Sequence, residues 1–362
     1  MEDELLQPSS QPLTGALAGL DYRHLRTLTD GTGILQHARY CIPDRDHGYC
    51  VDDNARALIV ACWGSGLGDD LAGAASIYLA FINHAYNREN GRFRNFMSYD
   101  RRWLEDAGSE DSHGRSLWGL AVAAVSAPYS SQRIIAERLF TEGLAAVRGF
   151  EAPRARAFTM LGLDQYLRGN EKAGGAHELL QELATGLYDL FLCNGEKGWL
   201  WCEGYVTYAN AVLPLSLLLA GRRLGDAGMK EMALRALRWL VERQTAGDGH
   251  ISIIGNDGWM TRVGHRARFD QQPLDAAALL LACIEAYIAT GDMVWLEDAR
   301  RAYAWFVGEN DLGLSLFDPE TGGCCDGLHR DGVNFNQGAE STLAWLLARL
   351  GMERLMVMNG DG

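Results

Sequence analysis

Acidic residues gather at a few points of this 362-residue chain, each time beside aromatic or amide side chains. Asp52 and Asp53 are adjacent, so like-charge repulsion can hold a proton on one of them. Glu203 sits in Trp199-Leu-Trp-Cys-Glu-Gly-Tyr205, where aromatic neighbours would desolvate it and favour the protonated form. Cleaving a glycosidic bond takes one protonated carboxyl to assist the leaving oxygen and one ionised carboxylate to activate water or attack carbon. That chemistry makes Glu203 the expected general acid and Asp53 the expected general base, with Asp52, Asp111 and Asp270 as further candidates. A sugar also needs aromatic faces under its C–H faces and polar groups around its hydroxyls. Tyr49, Trp201, Tyr208 and Trp259 offer the former. Asn54, Arg56, His113, Arg115, Arg154, Asn210, Gln271, Gln272, Asn336, Gln337 and Glu340 offer the latter.

The same residues have plainer uses. Asp, Ser, Thr and Asn cap helices, so Asp53, Ser112, Thr207, Asp270 and Asn336 are each expected caps. Asp52 with Arg56, and Asp111 with Arg115, have the i,i+4 spacing of a helical ion pair. Glu203 would serve equally as a partner for Arg154 or Arg156. A cap needs one short polar side chain, whereas these stretches bring two or three together with Gln, Arg and Trp.

The elements that would position them alternate in kind. Six segments are apolar on nearly every side: residues 53–63, 112–125, 153–163, 208–221, 273–287 and 337–350. Between them, residues 71–86, 132–147, 176–192, 227–244 and 293–308 are amphipathic, with a shorter first member at 20–28. Six buried helices inside six amphipathic ones make an all-α (α/α)6 toroid. Connections leaving the buried helices are short. Those entering them are long in five of six cases: 29–52, 87–111, 193–207, 246–272 and 309–336. Long loops in a compact domain are usually functional, and these all arrive at one end of the toroid. Alternation in 92–96, and Ile251–Ile254 followed by Gly-Asn-Asp-Gly, predict short β-hairpins within them. A loosely held arm over 1–19, one domain over 20–354 and a flexible tail over 355–362 complete the expected organisation.

Composition narrows the function. Against 33 Lys and Arg stand 47 Asp and Glu, a net charge of −14, which disfavours nucleic acid and anionic membranes as partners. The acidic start lacks the basic region of a secretory signal, and the longest uncharged apolar stretch, 205–221, is interrupted by Asn210 and Pro214. Eight scattered cysteines read as reduced thiols, and the chain as cytoplasmic. Cys324-Cys325-Asp326 with His329 lacks zinc spacing, so no metal and no cofactor are expected. The glycines at 64, 66 and 68 close a helix instead of following a strand, there is no Gly-x-Ser-x-Gly, and Cys50-Val-Asp-Asp53 lacks the first acid of a class II terpene-cyclase motif.

Three motifs carry a resemblance: His47-Gly-Tyr-Cys-Val-Asp-Asp-Asn-Ala-Arg-Ala-Leu58, Phe269-Asp-Gln-Gln-Pro273 and Asn334-Phe-Asn-Gln-Gly-Ala-Glu-Ser-Thr342. Together, over about residues 20–349, they resemble a bacterial family of glycosidase-like (α/α)6 toroids found near or fused to glycosyltransferases. The wider fold is similar to that of inverting glycosidases and N-acylglucosamine 2-epimerases. The resemblance implies carbohydrate work and a functional link to a glycosyltransferase, with no site residues carried over. The leading expectation is an inverting glycoside hydrolase on an oligo- or polysaccharide. A sugar epimerase or isomerase would rely on His113 and His265 as acid and base, and a non-catalytic carbohydrate-binding or scaffold domain is the third reading. A lyase would need a more basic face. Sugar, linkage and oligomeric state stay open.

Overall fold

The computed structural model describes residues 20–196 and 198–359; the arm over 1–19 and the last three residues lie outside the described residues. Six inner helices form a closed ring: α2 (Val51–Gly66), α4 (Glu110–Ser126), α6 (Pro153–Gly169), α8 (Val212–Leu224), α10 (Pro273–Thr290) and α12 (Ala339–Asn359). Each packs on the next, and α12 packs back on α2. Outer helices α1 (Arg23–Leu28), α3 (Ala72–Ala85), α5 (Ser130–Gly143), α7 (Gly174–Asn194), α9 (Ala227–Arg243) and α11 (Met293–Phe306) cover them. The chain therefore has the (α/α)6 toroid fold, with the buried and amphipathic segments in the expected order. α12 runs on through Asn359, with Leu355 buried, so helix extends past the expected boundary at 354.

Small residues let the ring close tightly. A Cβ added at Gly119 would come within 2.8 Å of the Ala55 carbonyl oxygen, and one at Gly114 within 2.5 Å of that of Ala155, so α4 lies backbone to backbone on both neighbours. By length and composition alone α10 could cross a membrane, although Asp275 and Glu285 interrupt it and keep it from being an uncharged stretch. Its apolarity is accounted for by its place in the ring, between α8 and α12.

The long connections are stitched into one rim. A hairpin of β1 (Leu35–Arg39) and β2 (Ile42–Cys50) takes β5 (Phe96–Met97) as third strand, joining the loop before α2 to that before α4. β3 (Tyr86–Asn87) pairs with β4 (Arg92–Phe93), so the 92–96 stretch serves two partners instead of forming one hairpin. β6 (Tyr205–Val206) pairs with β7 (Met260–Thr261), joining the loops before α8 and α10. A bridge from Gln271 to Leu328 then reaches the hairpin of β8 (Gly327–His329) and β9 (Gly332–Asn334) before α12. Finally, the Gln337 N–H donates to the Tyr40 carbonyl, returning to the first hairpin. The expected strand at 251–254 is only a bridge from Ile251 to Thr245. The β1–β2 hairpin carries no alternation because much of β2 is exposed on both faces.

Most expected caps are placed otherwise. α2 is capped by Cys50, whose Sγ accepts from the Asp53 N–H, and α4 by Ser109, which accepts from the Ser112 N–H. Asp53 and Ser112 therefore lie inside their helices. α8 starts after Ala211 and α10 after Gln272, so Thr207 and Asp270 cap neither.

Candidate active site

Where the inner helices begin, arginines and carboxylates form a ring of pairs under the rim. Arg56 on α2 donates to Asp53 Oδ1 and, across to α12, to Glu340 Oε2, each at 2.6 Å. Arg115 on α4 donates to Asp52 Oδ1 on α2 at 2.9 Å, and its guanidinium lies 4.5 Å from the Phe158 ring centre. Arg154 on α6 donates through Nη1 to both oxygens of Glu203, at 2.9 and 2.8 Å. Tyr208 Oη donates to Asp111 at 2.7 Å. Asn210 donates through backbone and side chain to Asp275 Oδ1 on α10. The expected i,i+4 pairs are thus replaced: Arg56 takes Asp53, while Asp52 and Asp111 bond to other elements.

Among the described residues, three carboxyls stand above the ordinary carboxylate range. Burial raises Asp53 to about 6, against the pull of Arg56. Burial raises Asp275 to about 7, and its Oδ2 is buried without a partner among the described residues. Asp326 is raised to about 6 by burial and then by the charge of Glu340. Asp326 lies at the head of α12 just before β8, and accepts from Asn336 Nδ2 at 3.3 Å. Around it are Glu340, with its side chain 40% exposed, the Asp270–His329 pair at 3.1 Å, and His37, 3.2 Å from Asn336 Nδ2. Trp259, from the loop before α10, and Phe335 are both exposed aromatics at this end.

Glu203 does not occupy the apolar seat expected of it. Trp199 and Trp201 turn inward and pack on Trp239, leaving the Glu203 carboxyl held by Arg154, the plainer of its two expected uses. His113 is fully buried between Phe93 and Phe150, with Nε2 on the Gly143 carbonyl and burial pushing it down to about 4. It belongs to the core and is not available as an acid or base. His265 is exposed in the 261–266 turn, packed against Gly258.

Several expected sugar contacts are brackets inside the fold. Asn54 is fully buried and bonds the Ile34 N–H and the Cys50 carbonyl. Gln271, also fully buried, accepts from the Ile253 N–H and Trp305 Nε1 and donates to the Arg268 carbonyl and Asp311. Gln337 accepts from Thr321 and donates to Asp318, Asn336 accepts from the Ala38 N–H, and Tyr49 donates to Asp30. Trp201 is wholly inside. That leaves Asp52, Asp111, Glu203, Tyr208, Trp259, Asp270, Gln272 and Glu340 at least partly accessible. Asp326 and His329 lie outside the residues that the sequence offers for a sugar site. Their one sequence signal is the Cys324-Cys325-Asp326 stretch with His329, whose spacing does not suit zinc.

No family model matches the sequence, and no curated protein matches it significantly. The fold does have solved relatives. A sugar epimerase from a ruminal bacterium superimposes with a TM-score of 0.71 at 14% identity, over 91% of this chain and 94% of that one. Cellobiose 2-epimerase from Bacillus thermoamylovorans gives 0.71 at 12%, over 94% and 96%. A GH76 α-mannanase from Bacteroides thetaiotaomicron gives 0.64 at 13%, over 93% and 94%. At these identities the likeness is one of fold: the chain is similar to (α/α)6 toroid proteins.

Proposed function

We propose that the protein is a carbohydrate-active enzyme, a glycoside hydrolase whose working carboxyls are Asp326 and Glu340. The observation that carries this reading is the unequal pair they form. Asp326 is largely buried and raised to about 6, so it holds a proton under mildly acidic conditions. Glu340 is accessible and pinned through Oε2 by Arg56. In hydrolysis the Asp326 carboxyl passes its proton to the departing glycosidic oxygen. Water attacks the anomeric carbon and gives its proton to the Glu340 carboxylate, which restores the pair after exchange with solvent. Asp53, buried under Arg56, positions that guanidinium and is no longer needed as base. Glu203, engaged by Arg154, is likewise released from the role of acid. Trp259 offers the aromatic face for a bound sugar. The wider toroid fold, shared with a mannanase and sugar epimerases, supports carbohydrate as the substrate class. Release of reducing ends from an oligosaccharide panel, lost in Asp326→Asn and Glu340→Gln, tests the reading.

One arrangement favours a second reading, epimerisation or isomerisation of a reducing sugar. His37 and His329 both adjoin the Asp326–Glu340 cluster. His37 is lowered by burial and by His47, so it is a neutral base near pH 7, and His329 is paired with Asp270. Removal of the C2 proton by one imidazole and reprotonation would exchange that hydrogen with solvent. Incorporation of deuterium at C2 without bond cleavage separates the two readings.

A further inference from the structure

At the opposite pole, where the inner helices end, lies a cavity of about 550 Å³. Arg154 in the bowl and Arg168 at the cavity are 14 residues apart on α6, about 21 Å along the helix at 1.5 Å per residue, so the two sites are separate. The cavity wall is apolar, with Trp63, Trp118, Leu161, Leu219, Leu281 and Ile288 among its members, and its size is that of a small-molecule site.

Its charges do not balance. Four arginines line it against two acids, in a chain whose net charge is −14. Asp164 takes Arg168 and Arg223, and Glu285 takes Arg222. Arg354 has no hydrogen bond or ion pair among the described residues, and its guanidinium rests 4.4 Å from the Trp63 ring centre. Burial and the nearby Arg168 push its pKa down, in spite of Glu285. In the same wall the Trp63 indole N–H is buried with no acceptor among the described residues. The negative ends of the inner helices explain why arginines gather at this pole. They leave unexplained a half-buried guanidinium with no protein acceptor among the described residues, set beside a buried indole N–H that also lacks one, and buried donors in native proteins are normally satisfied.

We propose that this cavity is a binding site for an amphiphilic anion, a carboxylate or phosphate head on an apolar chain. The head accepts from Arg354 and Trp63, and the chain lies along the leucine and isoleucine wall. The ligand must have both parts. Inorganic phosphate would leave the wall empty, and a neutral alcohol would leave the charge unanswered.

Calorimetric titration of the full chain with decanoate, decyl phosphate, decanol and inorganic phosphate tests this. Both decyl anions should bind at least 10-fold more tightly than decanol or phosphate. Arg354→Gln should weaken the anions by 10-fold or more while leaving decanol unchanged. Trp63→Phe, which keeps the ring and removes the N–H, should weaken them by a smaller factor. Circular dichroism confirms that each variant is folded. No binding of either anion to the wild-type chain, equal binding of decanol and decanoate, or unchanged decanoate affinity in folded Arg354→Gln would each overturn the proposal.

Discussion

Arg56 and Glu340 meet at 2.6 Å although 284 residues separate them, and that contact joins the first inner helix to the last. The other arm of the same guanidinium holds Asp53, with both side chains almost wholly buried. Removing one member of such a pair leaves a buried charge unpaired, which costs about 3–5 kcal/mol. Arg56→Met should therefore lower unfolding free energy by about that amount in urea titrations. A loss under about 1 kcal/mol would mean that the ring closes without this clasp.

Asp326→Asn and Glu340→Gln are expected to lower kcat by roughly 10²–10⁴-fold with the circular dichroism spectrum unchanged. The wild-type rate should fall as pH rises through about 6, because deprotonating Asp326 removes the proton donor. Initial rates between pH 4 and 9 on a cleaved oligosaccharide check both points. A rate that rises through that range would assign Asp326 another role.

Asp275 gives a stability prediction of definite sign. Its carboxyl holds a proton up to about pH 7 in the folded chain, against an ordinary value of 3.8. The native state therefore binds more protons than the unfolded one between those values, and this group's contribution to stability falls as pH rises through the window. Asp275→Asn cannot ionise. Its melting temperature relative to wild type should move upward between pH 4 and pH 8, as read by scanning calorimetry. A difference that stays constant with pH would contradict the assignment.

Gln271 separates fold from chemistry. It ties the loop before α10 to Ile253, Trp305 and Asp311. Gln271→Ala strands several buried partners at about 1–3 kcal/mol each. Thermal stability should drop markedly while KM, measured well below the melting point, stays within about twofold of wild type, the range of a change that touches no substrate.

Trp259 is the converse case. It is 41% exposed, so Trp259→Ala should change stability little. Loss of an aromatic contact worth about 0.5–1.5 kcal/mol predicts KM higher by roughly 2–10-fold with kcat nearly unchanged. An unchanged KM would remove Trp259 from the sugar site.

The toroid was legible because burial on every side and burial on one side leave different residue patterns. Residues 273–287 and 293–308 could be assigned to inner and outer rings without any long-range information. The working ends of the helices were less legible. Asp52 and Arg56 have the spacing of an ion pair, yet Asp52 bonds to Arg115, because a contact between neighbouring helices leaves no trace in local sequence. Polar residues such as Asn54, His113 and Gln271 marked the right end of the molecule, but a side chain that braces a loop and one that touches a ligand are the same residue types. Glu203 shows the limit of reading neighbours along the chain: its tryptophans face the core and its carboxyl faces an arginine. Asp326 went unrecognised because its burial comes from α12 and the β8–β9 hairpin meeting in space.

The most direct test of the account follows a panel of oligosaccharides and their reducing sugars by proton NMR in D₂O. Hydrolysis at the Asp326–Glu340 pair predicts new anomeric signals from released sugar, no deuterium at C2, and neither change with Asp326→Asn. Deuterium entering C2 with every glycosidic bond intact, or cleavage undiminished in that variant, would contradict it.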